Sequence, residues 1–316
     1  MSKVFITDYI DDPYIEKEVL GSLLSDQLHE DIEILLVWHE CINQDYLNKL
    51  PKLKAVIRYG VGFDSIDLEA TKNRNIYVAN TPDYGTEEVS DTAIAMIMNI
   101  ARGVTRYDSQ CRDYQVTWQE NTLASLKRTS DYMLGVIGAG RIGSSVLLKA
   151  KALGMKISFY DPYKPSGYEK MLGSSRFETQ DDLLCASDIV SINCPLSAET
   201  RCMINESFIK KMKSGSSLVN TARGQLISDI DVFYGPLKSG YLANVAVDVI
   251  PEEPPKKSIL IDAWRKREVW LDGRFVLNPH TAYYSDKAYF EMRSKAAANA
   301  LRVIEGMEPL NVVNGL

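Results

Sequence analysis

The chain has 316 residues, more than one hydrophobic core usually organises, so two domains are expected. With 45% apolar and 25% charged residues it has the composition of a globular protein, not a disordered one. Its 36 Lys and Arg against 42 Asp and Glu give a net charge of −6, which argues against nucleic acid as the main partner.

The opening residues Lys3, Val4, Phe5, Ile6, Thr7 and Asp8 read as a buried strand ending in an acid, without a signal peptide's apolar core. No apolar stretch nears the roughly 20 residues of a membrane span, so a cytoplasmic location without a membrane partner is the expectation. Short apolar runs at 4–6, 32–38, 55–57 and 76–78 alternate with helix-like stretches, which predicts a parallel α/β domain. Val89, Ala93, Met96, Ile97 and Ile100 then recur at helical spacing over 87–102, predicting a long helix that leaves this domain and packs between domains. A second series of strand candidates follows at 133–137, 156–160, 189–193, 217–220, 244–249 and 275–277, as a dinucleotide-binding sheet requires. Helical spacing returns over 287–306 and suits a helix going back to the first domain. The expected organisation is a discontinuous substrate domain, 1–101 plus 284–316, wrapped around a contiguous cofactor domain, 102–283. Cys41, Cys111, Cys185, Cys194 and Cys202 are scattered without a Cys-x-x-Cys pair, so they are read as reduced and mostly structural, with no metal site.

Gly138-Ala139-Gly140-Arg141-Ile142-Gly143 follows an apolar strand and opens a helix. In that context the first glycine makes the tight turn, the second lets a pyrophosphate approach the backbone, and the third lets helix pack on strand. The helix N-terminus offers unpaired N–H groups and partial positive charge to phosphate. Asp161 ends the next strand, where an acid about 20 residues on accepts from ribose hydroxyls and repels a 2′-phosphate. NAD is therefore expected over NADP, against the counter-signal of Tyr163 and Lys164 close by. A glycine-rich turn in an unrelated sheet, or a flavin dinucleotide site, is the competing reading.

Three loops expected at the same edge of this sheet carry chemistry. His280, in Asn278-Pro279-His280-Thr281, follows the last strand and suits proton transfer near neutral pH. Arg223, in Asn220-Thr221-Ala222-Arg223-Gly224, presents a planar fork of donors suited to a carboxylate. Glu253 can orient the distal ring nitrogen of His280, with Glu252 as its rival. A hydride carrier, a cation and an acid–base group are what exchange between a 2-keto and a 2-hydroxy acid needs. Of the other two histidines, His29 lies in a charged stretch and reads as a surface residue, while His39 follows a strand but has no evident orienting partner. The turn Arg58-Tyr59-Gly60-Val61-Gly62 reads as a carboxylate nest beside a cation, or equally as a tight turn with an exposed arginine. A strand-end cap is the plain alternative for His280, and a surface ion pair for Arg223.

These motifs, with Cys194-Pro195-Leu196, Glu199-Thr200 and Glu253-Pro254, occur in the order found in the D-isomer specific 2-hydroxyacid dehydrogenase family, which the chain resembles over essentially its whole length. Phe159-Tyr160-Asp161-Pro162-Tyr163, His280-Thr281-Ala282-Tyr283-Tyr284-Ser285 and Glu291-Met292-Arg293 look most like the branch containing the C-terminal binding proteins. The resemblance implies two Rossmann-like or flavodoxin-like α/β domains with parallel sheets and a cleft between them, and a homodimer built mainly through the cofactor domains. It implies Arg223, Glu253 and His280 as catalytic residues acting on a small 2-keto or 2-hydroxy acid with NAD(H), and a D product. It places Gly138, Gly140, Arg141, Ile142, Gly143, Asp161, Cys194, Pro195, Thr200, Thr221, Ala222 and Asp248 with the cofactor, and Arg58, Val61, Gly62 and Tyr283 with the substrate.

The chain also departs from that pattern. Tyr283 stands where the C-terminal binding proteins carry a tryptophan, so their substrate preference does not transfer. Gly235-Pro236 is expected to interrupt the helix before the strand at 244, since proline removes a helical hydrogen bond. The stretch 260–273, with Trp264 and Trp270, is longer than the family's usual loop. An NAD(H)-sensing binding protein of the C-terminal binding protein type and a 3-phosphoglycerate dehydrogenase are the alternatives, with formate oxidation behind them because it has no hydroxyl proton to manage.

Overall fold

The computed structural model of the chain describes residues 3–112, 118–123 and 126–316; Met1 and Ser2 of the opening segment lie outside them. The chain divides into two compact units, Met1–Gly85 with Tyr284–Leu316, and Thr86–Tyr283.

In the first unit the described residues form a five-stranded sheet from β1 (Val4–Ile6), β2 (Leu24–Ser25), β3 (Ile34–Val37), β4 (Ala55–Arg58) and β5 (Tyr77–Ala79), ordered β2-β1-β3-β4-β5. Every pairing is parallel. All four residues of β3 are buried, because a parallel strand covered on both faces is a continuous apolar run. Side-chain caps start the helices on its flanks, Asn43 accepting from Tyr46 N at 3.0 Å and Asp67 from Ala70 N at 2.9 Å. The helix Asp286–Ile304 returns to this unit and packs on β3, β4 and the helix Tyr14–Leu20. Asn314 then stitches the tail to β5, accepting from Val78 N at 3.2 Å and donating to Ile76 O at 2.8 Å.

The second unit's sheet has, among the described residues, seven strands: β6 (Met133–Ile137), β7 (Lys156–Tyr160), β8 (Ser175–Arg176), β9 (Ile189–Ile192), β10 (Ser216–Asn220), β11 (Leu242–Val247) and β12 (Phe275–Leu277). Their order β12-β11-β10-β9-β6-β7-β8 is parallel throughout. The chain runs outward from β6 through β7 and β8, then crosses to β9 on the other side of β6, so the switch point of this Rossmann-like sheet lies at β6 and β9, where ligands bind beyond the strands' carboxyl ends.

The helix Thr86–Arg102 belongs to this second unit, so the division falls at Gly85, earlier than the boundary read after 101. Its apolar face, Ala93, Met96, Ile97 and Ile100, shares one buried cluster with Leu134 and Val136 of β6 and Val146 and Leu147 of the helix Arg141–Ala152. The expected break at Gly235-Pro236 is milder than read: a 3-10 turn, Ile230–Phe233, leads into the helix Tyr234–Ser239. Pro236 sits in the first turn of that helix, where an N–H has no intrahelical partner to lose. Of the five cysteines only Cys194 is buried; the other four are exposed and all are free, so most carry no core packing. Among the described residues no helix is long and apolar enough to cross a membrane.

The helix Ile259–Arg265 leads into the longer stretch at 260–273, and its Leu260 and Ile261 are fully buried with Phe233 and Leu271. The Asp231 carboxylate anchors its N-terminus, accepting from Ser258 Oγ at 2.5 Å, Ile259 N at 3.1 Å and Leu260 N at 3.0 Å. Asp231→Ala is expected to lower unfolding free energy by about 1–2 kcal/mol, as loss of a helix-capping carboxylate does, read by urea denaturation. An unchanged midpoint would show that Ser258, which accepts from Ile261 N at 3.1 Å, caps the helix alone.

Candidate active site

The turn after β6 is shaped by three glycines for three separate reasons. Gly138 has a φ of 90°, and a Cβ there would lie 2.7 Å from Cys194 N. A Cβ on Gly143 would lie 1.9 Å from the Gly138 carbonyl oxygen, so only glycine lets the helix Arg141–Ala152 close on the strand. Around Gly140 nothing lies within 4 Å of such a Cβ. Its bare backbone, next to Arg141 and Ile142, starts that helix without a side-chain cap, the arrangement that suits an anion at a helix N-terminus.

Asp161, just past β7, is buried and already engaged: one carboxylate oxygen accepts from Ala139 N and the other from Tyr163 N, each at 2.9 Å. It therefore clamps the glycine turn, a duty that spacing did not reveal. After β9, burial pushes the Cys194 thiol up to about 12, and Thr200 Oγ1 closes the loop by donating to Pro195 O at 2.7 Å. Glu199 from the same loop accepts from the Tyr163 hydroxyl.

The loop after β10 is folded by Asn220, whose side chain accepts from Ala222 N and donates to Arg223 O, both at 3.0 Å. A Cβ on Gly224 would lie 1.8 Å from Ile250 O, so this glycine brings the Arg223 loop against the loop that carries Glu253. Arg223 Nη1 donates to Ala222 O at 2.8 Å. Glu253 accepts from Ile250 N at 3.0 Å with one oxygen and meets His280 Nδ1 at 2.8 Å with the other. Burial works to raise this carboxyl, but the His280 bond and charge, the Ile250 N–H and the Arg223 charge hold it below the usual carboxylate value. Its rival Glu252 pairs with Lys256 at 2.5 Å on the surface.

His280 has a φ of 58°, a left-handed backbone that costs a non-glycine residue about 1–3 kcal/mol. Asp248, 2% exposed, holds it there. The Asp248 carbonyl accepts from His280 N at 2.8 Å, and its carboxylate accepts from Thr281 N and Ala282 N, each at 3.0 Å. Burial raises the Asp248 carboxyl above its usual value despite those bonds. The result is a half-exposed imidazole, fixed at Nδ1, beyond the ends of β10, β11 and β12.

The buried Thr221 Oγ1 and Asn193 Oδ1 have no hydrogen-bond partner among the described residues. Polar atoms left so at strand ends, beside a glycine turn with an open side, fit a dinucleotide that brings its own donors and acceptors. Tyr283 is half-buried at the end of this unit.

In the first unit, Arg58 ends β4 and its guanidinium folds over Gly60, where a Cβ would lie 2.9 Å from Nη1. Asn80 Nδ2 donates to Val61 O at 2.7 Å, and Thr81 Oγ1 to Arg58 O at 3.1 Å, which fixes the turn through Val61 and Gly62. His39 does have an orienting partner: Asp8 accepts from its backbone N at 2.7 Å and lies 3.4 Å from Nδ1. Thirty-one positions separate the two, so no local pattern could show it. His29 is half-buried and its carbonyl accepts from Ile32 N at 3.1 Å.

Residues 94–282 match the family model described as D-isomer specific 2-hydroxyacid dehydrogenase, NAD binding domain. A glyoxylate reductase of Korarchaeum cryptofilum is 36% identical over 275 residues, 86% of this chain and 80% of its own. A glyoxylate reductase of Pyrococcus horikoshii is 32% identical over 304 residues, 95% of this chain and 87% of its own. Among solved structures, a D-lactate dehydrogenase from Aquifex aeolicus complexed with NAD and lactic acid superposes with a TM-score of 0.84 at 29% identity, covering 96% of each chain. The chain belongs to the D-isomer specific 2-hydroxyacid dehydrogenase family, and its second unit carries the family's NAD-binding domain. It is an NAD-dependent enzyme of the 2-hydroxyacid class.

The glycines separate stability from cofactor binding. Gly140→Ala is expected to leave the melting temperature unchanged and weaken NADH binding at least about tenfold, because nothing in the protein lies within 4 Å of its Cβ and this position of a G-x-G-x-x-G turn is the one a pyrophosphate approaches. Gly143→Ala is expected to lower both. Calorimetry with NADH titration checks the pair, and a melting temperature that falls equally in both variants would contradict the distinction.

Proposed function

We propose that the enzyme reduces a short 2-keto acid to the D-2-hydroxy acid, with His280 moving the proton at the C2 oxygen. The observation that carries this reading is the 2.8 Å contact between His280 Nδ1 and Glu253, in a turn locked by Asp248. Glu253 takes the Nδ1 proton's hydrogen bond, which leaves Nε2 to donate toward the substrate oxygen and steadies the imidazolium. Arg223 offers its fork to the carboxylate and polarises the adjoining carbonyl. Gly140, Arg141, Ile142, Asp161 and Thr221 would hold NADH, which when bound would supply the hydride. The Asp161 carboxylate at the end of β7 favours NAD over NADP by repelling a 2′-phosphate. In this reading the turn at Arg58, Val61 and Gly62 is a carboxylate nest of the first unit, and Tyr283 is a substrate contact. The names of the relatives put glyoxylate and pyruvate first among substrates.

NADH oxidation followed at 340 nm across glyoxylate, pyruvate and branched, aromatic and phosphorylated 2-keto acids tests the reading. Turnover of one class is expected, with His280→Ala lowering kcat by at least about a hundredfold while NADH binding persists, and Arg223→Ala damaging both KM and kcat. Near wild-type turnover in His280→Ala would remove the proton-transfer role. Tight NADH binding with no turnover of any keto acid would favour dinucleotide sensing instead.

The two carboxyls of the site are moved in opposite directions from their usual values. Glu253, held below its usual 4.5, keeps its charge as pH falls through that value, and its bond to His280 is lost only lower. Asp248, raised above its usual 3.8 by burial, takes up its proton at a higher pH than an exposed aspartate, loosening the turn that carries His280. Asp248→Asn, which has no carboxyl to protonate, is expected to move the acid limb of kcat/KM, while Glu253→Gln, which removes the charge beside His280, is expected to lower the plateau. A limb that shifts only in Glu253→Gln would reverse the assignment.

A further inference from the structure

A second charged assembly, fully buried in the first unit, has no part in the chemistry above. Arg293 from the helix Asp286–Ile304 and Glu16 from the helix Tyr14–Leu20 have side chains 2% and 0% exposed. They form a two-pronged pair: Arg293 Nε donates to Glu16 Oε1 at 2.9 Å and Nη2 to Oε2 at 2.5 Å. Nη2 also donates to Asp12 O at 2.7 Å, and the rings of Tyr14 and Tyr289 flank the guanidinium at 5.3 and 5.1 Å. Replacing such a pair with apolar residues often costs nothing, so stability alone does not account for it.

The third member gives it a direction. Tyr59, 0% exposed, donates its hydroxyl to Glu16 Oε1 at 2.9 Å. Tyr59 is the residue after Arg58, in the turn that continues through Gly60, Val61 and Gly62. The turn's backbone is fixed on its other side, where Thr81 N donates to Gly60 O at 3.2 Å, Thr81 Oγ1 to Arg58 O and Asn80 Nδ2 to Val61 O. Thus one side chain of the turn is anchored inward to an ion pair, while its neighbour Arg58 is laid over Gly60. An arginine aimed at a carboxylate is only as well placed as the backbone beneath it, and a misplacement of about 1 Å can cost a hundredfold.

We propose that Tyr59, Glu16 and Arg293 are positioning residues for substrate binding: the buried ion pair holds the Tyr59 hydroxyl, and Tyr59 sets the Arg58 turn that receives the keto-acid carboxylate. This rests on the reading of Arg58 as the carboxylate's partner. Tyr59→Phe deletes one oxygen and keeps the packing against Trp38, whose ring centroid lies 5.5 Å away.

The test is a steady-state double-mutant cycle with the best keto acid of the panel, using Tyr59→Phe, Arg58→Gln and the double variant. Tyr59→Phe is expected to raise KM about tenfold with kcat within about twofold and NADH affinity unchanged. In the double variant KM is expected to fall well short of the product of the two single effects, because Tyr59 acts through Arg58. Glu16→Gln, which keeps an acceptor for Tyr59, is expected to raise KM less than Tyr59→Phe does. A KM unchanged by Tyr59→Phe, or single effects that multiply in the double variant, would overturn the positioning role while leaving the Arg58 assignment standing. A KM unchanged by Arg58→Gln would overturn the Arg58 assignment, and this proposal with it.

Discussion

A single charge-assisted contact, 2.8 Å between His280 Nδ1 and Glu253, engages one nitrogen of the imidazole and fixes the ring's orientation. Both loops that make the contact are held in place: Gly224, by admitting the Ile250 carbonyl where a Cβ would stand, seats the Glu253 loop against the Arg223 loop, and Asp248 holds His280 in a left-handed backbone. The cost of that conformation is met by three hydrogen bonds to one buried residue.

The same device recurs in both units. An aspartate just beyond the end of a parallel strand accepts backbone N–H groups from the loop of the neighbouring strand. Asp8, after β1, takes Trp38 N and His39 N beyond β3, and despite its burial those bonds and the His39 ring hold its carboxyl well below the usual range. Asp161, after β7, takes Ala139 N beyond β6. Asp248, after β11, takes Thr281 N and Ala282 N beyond β12. Parallel strands end in one plane with their next N–H groups unpaired, and a carboxylate there satisfies two donors at once. Loops tied in this way present functional side chains on a rigid edge.

Much of this was readable before any coordinates. The strands at 133–137, 156–160 and 275–277 stand where they were read, since each carries a short, largely apolar run. β2 and β8 escaped notice because two residues each make no pattern. The helix Thr86–Arg102 was legible as a helix, but its allegiance was not: periodicity shows an apolar face and not what covers it. In the site, residues inside motifs could be named from the sequence, and Glu253 is parted from Glu252 only by geometry. Partners far apart in the chain left no local trace, such as Asp8 with His39 or Glu16 with Arg293, 277 positions away.

In the proposed reaction, hydride from NADH reaches one face of a keto acid while His280 protonates its oxygen. The most direct measurement is reduction of pyruvate, or the longest keto acid accepted, with NADH deuterated at C4 of the nicotinamide, followed by chiral analysis of the product. The expected result is the D-hydroxy acid with deuterium at C2. An L product, a racemate, or a product whose C2 hydrogen comes from water would contradict it.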